Sequence, residues 1–322
     1  MKILSFYPIH VSWINGVAEL LPKDKICLVP SGEPVSKVEQ EMWMSGINPF
    51  RSNIEITSKS FDQIRQKDYD VCLLWWAVWS KAKLEERIQI PAVWQTLNYG
   101  ESPPEYWEGP ILYNTWGAKE GCGRPGEVYF AINSKSVLGK WNGKIPKGTS
   151  VNKRWLDFTY DMILYNGLVT QGWLEEYDGM VPFEELMKIR NNHRFYIEVN
   201  THRYACNAVL EAMRSGMPVI APNKPDYNRF IKDWESGILY NSPDQALLYA
   251  QQLCEDYTLA KRIGAKAEIQ AETFLDDALR RKILLNAFKE AKWIPKRPTQ
   301  FYERNRDPRP EIPGPAEGRK AR

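Results

Sequence analysis

The sequence predicts an α/β chain built on two doubly wound parallel sheets, and three observations predict it. From Lys2 to Ala131, short apolar runs alternate with amphipathic or charged stretches at the spacing of strand–helix–strand units. Between Gly139 and Gly148 that rhythm gives way to a polar segment holding three glycines and a proline. His202 to Pro222 then reads as helix, tight turn and buried strand, the unit around which a second sheet is organised.

In the first half, Lys2–Tyr7, Lys25–Val29, Ile54–Thr57, Val71–Leu74 and Ala92–Gln95 read as successive strands, followed by Ile111–Tyr113 and Val128–Ala131. The loop after the first strand carries His10, Ser12 and Gly16. Val17–Leu21 is a short helical piece stopped by Pro22. Phe61–Lys67 is helical, and Lys81–Arg87 is a charged, exposed helix. The breaker-rich stretch near 140–148 is read as the interdomain linker, which sets the boundaries at 1–143 and 144–275.

In the second half, Met162–Tyr165 and Phe195–Val199 read as strands. Asn207–Arg214 is a helix that places Val209, Leu210 and Met213 on one face, as packing on a sheet requires. Gly216 ends it, because the residue after a helix favours a left-handed conformation that a Cβ opposes. Pro218–Ala221 is a short apolar run of the kind covered on both faces in a parallel sheet. Ser242, Pro243 and Gln245 supply a side-chain cap, a proline at the first helical position and a capping-box partner. Helices follow at about 243–255, 258–272 and 276–292. Residues 294–322 hold six prolines and few apolar residues and read as a disordered or loosely docked tail.

Composition narrows the function. The 322 residues are 43% hydrophobic, enough for two cores of ordinary size. Cys27, Cys72, Cys122, Cys206 and Cys254 form no CxxC pair, which argues for a reducing compartment and against a zinc site or disulfide framework. The N-terminus reads as a strand with no signal peptide, and the longest apolar run, Val71–Trp79, is too short to span a bilayer. The expectation is a cytoplasmic protein without a membrane span. From Ile294 onward eight Lys and Arg face four Asp and Glu, so the tail carries +4 of a net +3 and the body is near −1. Nucleophilic-hydrolase, P-loop and HExxH signatures are absent.

The stretch Asn207-Ala-Val-Leu-Glu-Ala-Met213, with Gly216 and Pro218–Ala221, resembles the nucleotide-binding signature of GT-B glycosyltransferases, in particular the large retaining group 1 family with its Glu-x7-Glu motif. Asp178–Met187 and Ser236–Tyr240 resemble flanking parts of the same domain. The resemblance implies a GT-B fold: two Rossmann-like doubly wound domains facing a cleft, with residues 276–293 as a helix returning to the first domain. Glu211 falls on the second Glu of the motif, which in the family bonds the donor ribose. Arg203 stands where the first would be. Lys153 and Arg154, after the first expected strand of the second domain, resemble the basic loop that stabilises the leaving diphosphate without a metal. Asn207 joins the donor set.

Ligands of open parallel sheets sit beyond the carboxyl ends of the strands. On that rule His10, Asn98 and Glu101 are the first-domain candidates for chemistry, alongside Arg203, whose planar fork suits a bidentate anion contact. Trp13, Trp75, Trp76 and Trp79 are aromatic surfaces for an acceptor. Asp68-Tyr-Asp70 spells the metal-binding DxD pattern but precedes a strand, the wrong edge, so neither metal nor cofactor is expected. The implied reaction moves a sugar from a UDP- or GDP-linked donor to a glycan, protein or small-molecule hydroxyl, or to a hydroxymethylated DNA base. The basic tail and tryptophans keep DNA among the partners. A catalytically inactive carbohydrate- or partner-binding module on the same scaffold is the alternative, kept open by Arg203. An epimerase is a third.

Overall fold

The computed structural model describes residues 1–6, 11–29, 50–57, 59, 63–75, 88–96, 107, 109–113, 132–150, 161–175, 181–199 and 207–293. Its first sheet joins β1 (Lys2–Phe6), β2 (Lys25–Val29), β3 (Ile54–Ile56), β4 (Val71–Trp75), β5 (Ala92–Thr96) and β6 (Ile111–Tyr113). The six strands are parallel in the order β3-β2-β1-β4-β5-β6. The order reverses between β1 and β4, whose Leu4 and Cys72 are register partners. Helix α1 (Val11–Leu20) follows β1 and buries Ile14, Val17 and Ala18. Ser12 and Gly16, expected in a loop, therefore lie within a helix.

The second sheet is parallel in the order β10-β9-β8-β7, from β7 (Ile145–Thr149), β8 (His193–Ile197), β9 (Val219–Pro222) and β10 (Ile238–Tyr240). Its side chains alternate between two cores. Tyr196, Val219 and Ala221 face one, and Phe195, Ile197 and Ile220 face the other. The helices of this half are α2 (Lys135–Leu138), α3 (Met162–Thr170), α4 (Phe183–Asn192), α5 (Asn207–Arg214), α6 (Pro225–Asn228), α7 (Pro243–Glu255) and α8 (Tyr257–Leu275). The Ser242 hydroxyl caps α7 by accepting from the Gln245 amide at 3.3 Å.

In the second half, two expectations are corrected. Ile145–Thr149, assigned to the linker, is a strand. It sits at the sheet edge, where proline and glycine are tolerated, and a Cβ on Gly148 would come within 2.3 Å of the Phe195 ring. Met162–Tyr165, assigned to a strand, opens helix α3. Asp161 caps it by accepting from the Leu164 amide at 3.0 Å, and Leu164 and Leu168 are buried one turn apart while Met162 and Ile163 are exposed. A short apolar run does not distinguish the two periods by itself. In the Phe61–Lys67 region the described residues hold 3-10 geometry, at Gln63 and in the turn Gln66–Asp68, in place of the expected helix. Lys81–Arg87, Val128–Ala131 and the tail lie outside the described residues.

Helix α9 (Asp277–Lys289) packs on the first sheet rather than the second. Leu284, Ala287 and Phe288 join the core built by Ile3, Leu73 and Val93. Beyond it, Ala92 and Lys292 exchange backbone hydrogen bonds of 2.8 and 3.3 Å. Among the described residues no helix is long and apolar enough to cross a membrane.

Helix α8 runs close over the turn that ends α5. Gly216 holds φ +84°, and a Cβ on Gly264 would stand 2.2 Å from the Gly216 carbonyl oxygen. Gly264→Ala is therefore expected to push the two apart. Overpacking of this kind costs about 1–3 kcal/mol and should lower the thermal midpoint by several degrees. Calorimetry checks it, and an unchanged midpoint would show that the helices part freely.

Candidate functional site

The carboxyl ends of β7 to β10 define one edge of the second sheet, where a ligand of this architecture would sit. Glu198 directly follows β8 and is only 3% exposed. Its amide donates to the Ile220 carbonyl at 2.9 Å, its own carbonyl accepts from the Tyr240 hydroxyl at 2.9 Å, and the Tyr196 hydroxyl faces its carboxylate at 3.4 Å. Lys224 follows β9 and is half-buried. Burial lowers its pKa, and the Glu198 charge acts in the opposite direction. Burial raises the Tyr240 phenol, with the Glu198 and Asp161 charges adding to it. Asp226 is raised by burial against the pull of Arg229. This edge thus pairs a buried carboxylate with an ammonium that can meet an anionic ligand.

A second polar cluster surrounds the passage between the two sheets. Glu211, one turn into α5, is 7% exposed. Its Oε1 accepts from Asn133 Nδ2 at 2.6 Å and the Asn133 amide at 3.4 Å, and its Oε2 accepts from Arg190 Nη1 at 3.3 Å. Residues 132–134 are held on all sides. Arg214 Nη1 donates to the Asn133 carbonyl at 2.9 Å and Arg280 Nη2 to the Ile132 carbonyl at 3.0 Å. From the first half, Arg51 Nη2 donates to Asn133 Oδ1 at 3.2 Å, and Glu19 accepts from the Ser134 amide at 2.5 Å. Burial pushes the Arg280 guanidinium down to about 10, chiefly against the opposing charge of Asp277. A cavity of about 400 Å³ opens here between α1, residues 132–134 and the start of α9, lined by Glu19, Ile132, Ser134, Asp277, Arg280 and Arg281. It adjoins Pro22 and Lys23, which lead into the amino end of β2, so it is a feature of the junction rather than of the strand ends.

Of the sequence candidates, the structure brings Asn207 and Glu211 together on α5, one helical turn apart. Trp13 lies in α1 and Trp75 ends β4, but their side chains are not among those described. His10, Trp76, Trp79, Asn98, Glu101, Lys153, Arg154 and Arg203 lie outside the described residues. The Asp68-Tyr-Asp70 pattern has structural partners: Asp70 accepts from the Lys2 amide at 2.7 Å and Asp68 faces Arg65 at 3.6 Å. Among the described residues no group of three His, Cys, Asp or Glu side chains is placed to hold a metal. Glu198 and Lys224 escaped the sequence reading, although the strand-end rule applied to Phe195–Ile197 and Val219–Pro222 selects both. Arg190 and Asn133 carry no local signal at all.

No protein-family model matches the sequence and no curated protein matches it. Solved structures do. Anabaena HepE in complex with UDP and glucose matches at a TM-score of 0.58 and 13% identity, over 90% of this chain and 99% of that one. The likeness thus runs over nearly the full length of both chains. The chain has the GT-B fold. Other GT-B chains similar to it include sucrose-phosphate synthase from Thermosynechococcus elongatus, with a TM-score of 0.57, 10% identity and coverage of 89% and 98%. The DNA-modifying enzyme beta-glucosyltransferase gives 0.50, 12%, 89% and 99%.

The strand-end pair makes a signed prediction within this GT-B chain. The Glu198 charge raises the Lys224 pKa against burial, so Glu198→Gln is expected to move it further down. Heteronuclear NMR of the lysine side chain reads the titration directly. An upward move or none would show that the two charges do not interact.

Proposed function

We propose that this GT-B chain is a glycosyltransferase that moves a sugar from a nucleoside-diphosphate donor to an acceptor hydroxyl. The observation that carries the reading is the fold shared over about nine-tenths of the chain with proteins solved in complex with UDP or UDP-glucose. The placement of Glu211 on the helix after β8, in the segment that resembles the nucleotide-binding signature, agrees with it.

In this reading the second half holds the donor. Glu211 accepts from a ribose hydroxyl, with Asn207 beside it at the start of α5. Lys153 and Arg154 face the diphosphate. As the bond from the anomeric carbon to the diphosphate oxygen breaks, the nucleoside diphosphate leaves with the electron pair, and fixed cations stabilise the charge that develops. The acceptor oxygen bonds to the anomeric carbon and its proton passes to a base, for which Glu101 is the candidate. Arg203 and Asn98 lie against the sugar, His10 is on the acceptor side, and Trp13, Trp75, Trp76 and Trp79 receive the acceptor by stacking. The proposed transfer retains configuration at the anomeric carbon and uses no metal.

Calorimetric titration with UDP and GDP tests the donor role. One of them is expected to bind, and Glu211→Ala should cost about 1.5–3 kcal/mol, the worth of a hydrogen bond to a charged acceptor. No binding of either nucleotide to the unmutated protein would sink the reading. Binding without turnover of UDP- or GDP-sugars over a panel of acceptors would favour an inactive binding module. The anomeric configuration of any product, read by NMR, decides between retention and inversion.

A second reading of the acceptor, a hydroxymethylated DNA base, draws support from the likeness to a DNA-modifying glucosyltransferase and from the +4 tail. A gel shift with plain and hydroxymethylcytosine DNA at two salt concentrations is expected to show salt-sensitive binding that weakens on truncation after Trp293. Binding indifferent to salt and truncation would leave a glycan, protein or small molecule as acceptor.

A further inference from the structure

The Glu211 carboxylate does not stand by itself. An ionised carboxylate offers about four acceptor positions. Asn133 takes one side, with Nδ2 at 2.6 Å from Oε1, and Arg190 takes the other, with Nη1 at 3.3 Å from Oε2. The Asn133 amide also reaches Oε1 at 3.4 Å, so Oε2 is the oxygen that keeps capacity for a further donor, and a ribose hydroxyl supplies one. For a ribose hydroxyl to be recognised there, the carboxylate must be held in one rotamer. The Arg190 and Asn133 contacts together secure the rotamer.

Both supports are themselves built for orientation. Asn133 Oδ1 accepts from Arg51 Nη2 at 3.2 Å, so its amide cannot flip without losing that bond, and Nδ2 is committed to Glu211. Its backbone carbonyl is pinned by Arg214 at 2.9 Å. Arg190 is 4% exposed, yet among the described residues its Nε and Nη2 find no hydrogen-bond partner. Buried, unsatisfied donors cost free energy and mark a network that something else completes. A ligand oxygen brought beside Glu211 is the group that would complete it.

We propose that Asn133 and Arg190 are positioning residues for the donor ribose: from residues 132–134 and from α4 they fix the Glu211 carboxylate that receives a ribose hydroxyl. The inference rests on the donor role proposed for Glu211. It also makes the segment between the two sheets part of nucleotide recognition, because Asn133 joins Arg51 of the first half to Glu211 of the second.

The test compares UDP and GDP with their 2′-deoxy counterparts by calorimetry on the full chain. The unmutated protein is expected to prefer the ribonucleotide by about tenfold or more, the worth of a hydrogen bond to a charged group. Asn133→Ala and Arg190→Met are expected to reduce that preference to within about threefold, while affinity for the deoxy form stays nearly unchanged. A role confined to folding would not move this ratio. Arg190→Lys, which keeps the charge, should recover part of the preference. If Arg190→Met does not fold, Asn133→Ala carries the test. A ribose preference lost in Glu211→Ala but intact in both variants would overturn the inference and leave the donor reading standing. Absence of binding, or of any ribose preference in the unmutated protein, would remove both the Glu211 role and this inference.

Discussion

The structure depends on a buried knot of charge around residues 132–134. Four side chains from both halves of the molecule, Arg51, Glu211, Arg214 and Arg280, converge on two of those residues with hydrogen bonds of 2.6–3.2 Å. The segment needs them, because a chain crossing between two cores carries backbone groups that neither sheet satisfies. Arg214 answers the Asn133 carbonyl, the Leu275 carbonyl at 3.0 Å and Asp277 at 2.9 Å at once, which ties the crossing chain to the point where α9 departs.

Such a knot contributes geometry more than stability. Taking guanidinium groups out of water is costly, and their partners repay that cost only where the geometry is good. Arg280 shows the balance. Burial and the nearby Arg214 charge lower its pKa to about 10, while Asp277 and Glu19 act against them. The guanidinium therefore stays charged at neutral pH, and its burial cost is relieved only above about pH 10. What it gains is a fixed position for Ile132 and for the first turn of α9. The apolar part of α9, Leu284 to Phe288, is already committed to the first core. The knot sets where that helix leaves the second half.

The same arrangement ties the chemistry of α5 to the rest of the fold. Glu211 belongs to the segment that resembles a nucleotide-binding signature, yet its carboxylate is bonded to the crossing segment and to α4. Glu198 shows a related economy at the strand ends, where its carboxylate meets the Tyr196 hydroxyl, its backbone carbonyl accepts from Tyr240, and its charge opposes the desolvation of Lys224. In both places a buried carboxylate holds its surroundings in shape.

The sequence by itself determined the alternation of strands and helices, the α5–β9 unit with Gly216 at its turn, the cap at Ser242 and the three closing helices. Each of these is written in local terms: a period, a cap or a residue that tolerates positive φ. It also pointed to Glu211, because resemblance attaches to a contiguous motif. Only the tertiary structure decided the rest. Ile145–Thr149 is a strand because an edge position accepts Pro146 and because Phe195 needs the space at Gly148. Met162–Thr170 is a helix because the second core takes Leu164 and Leu168 from one face. Arg280 and Ile132 are 148 residues apart, and Asn133 and Glu211 are 78 apart. No window of sequence holds both members of such a pair. Their partnership follows from desolvation, which makes a buried charge seek whatever polar group the packed fold brings within reach.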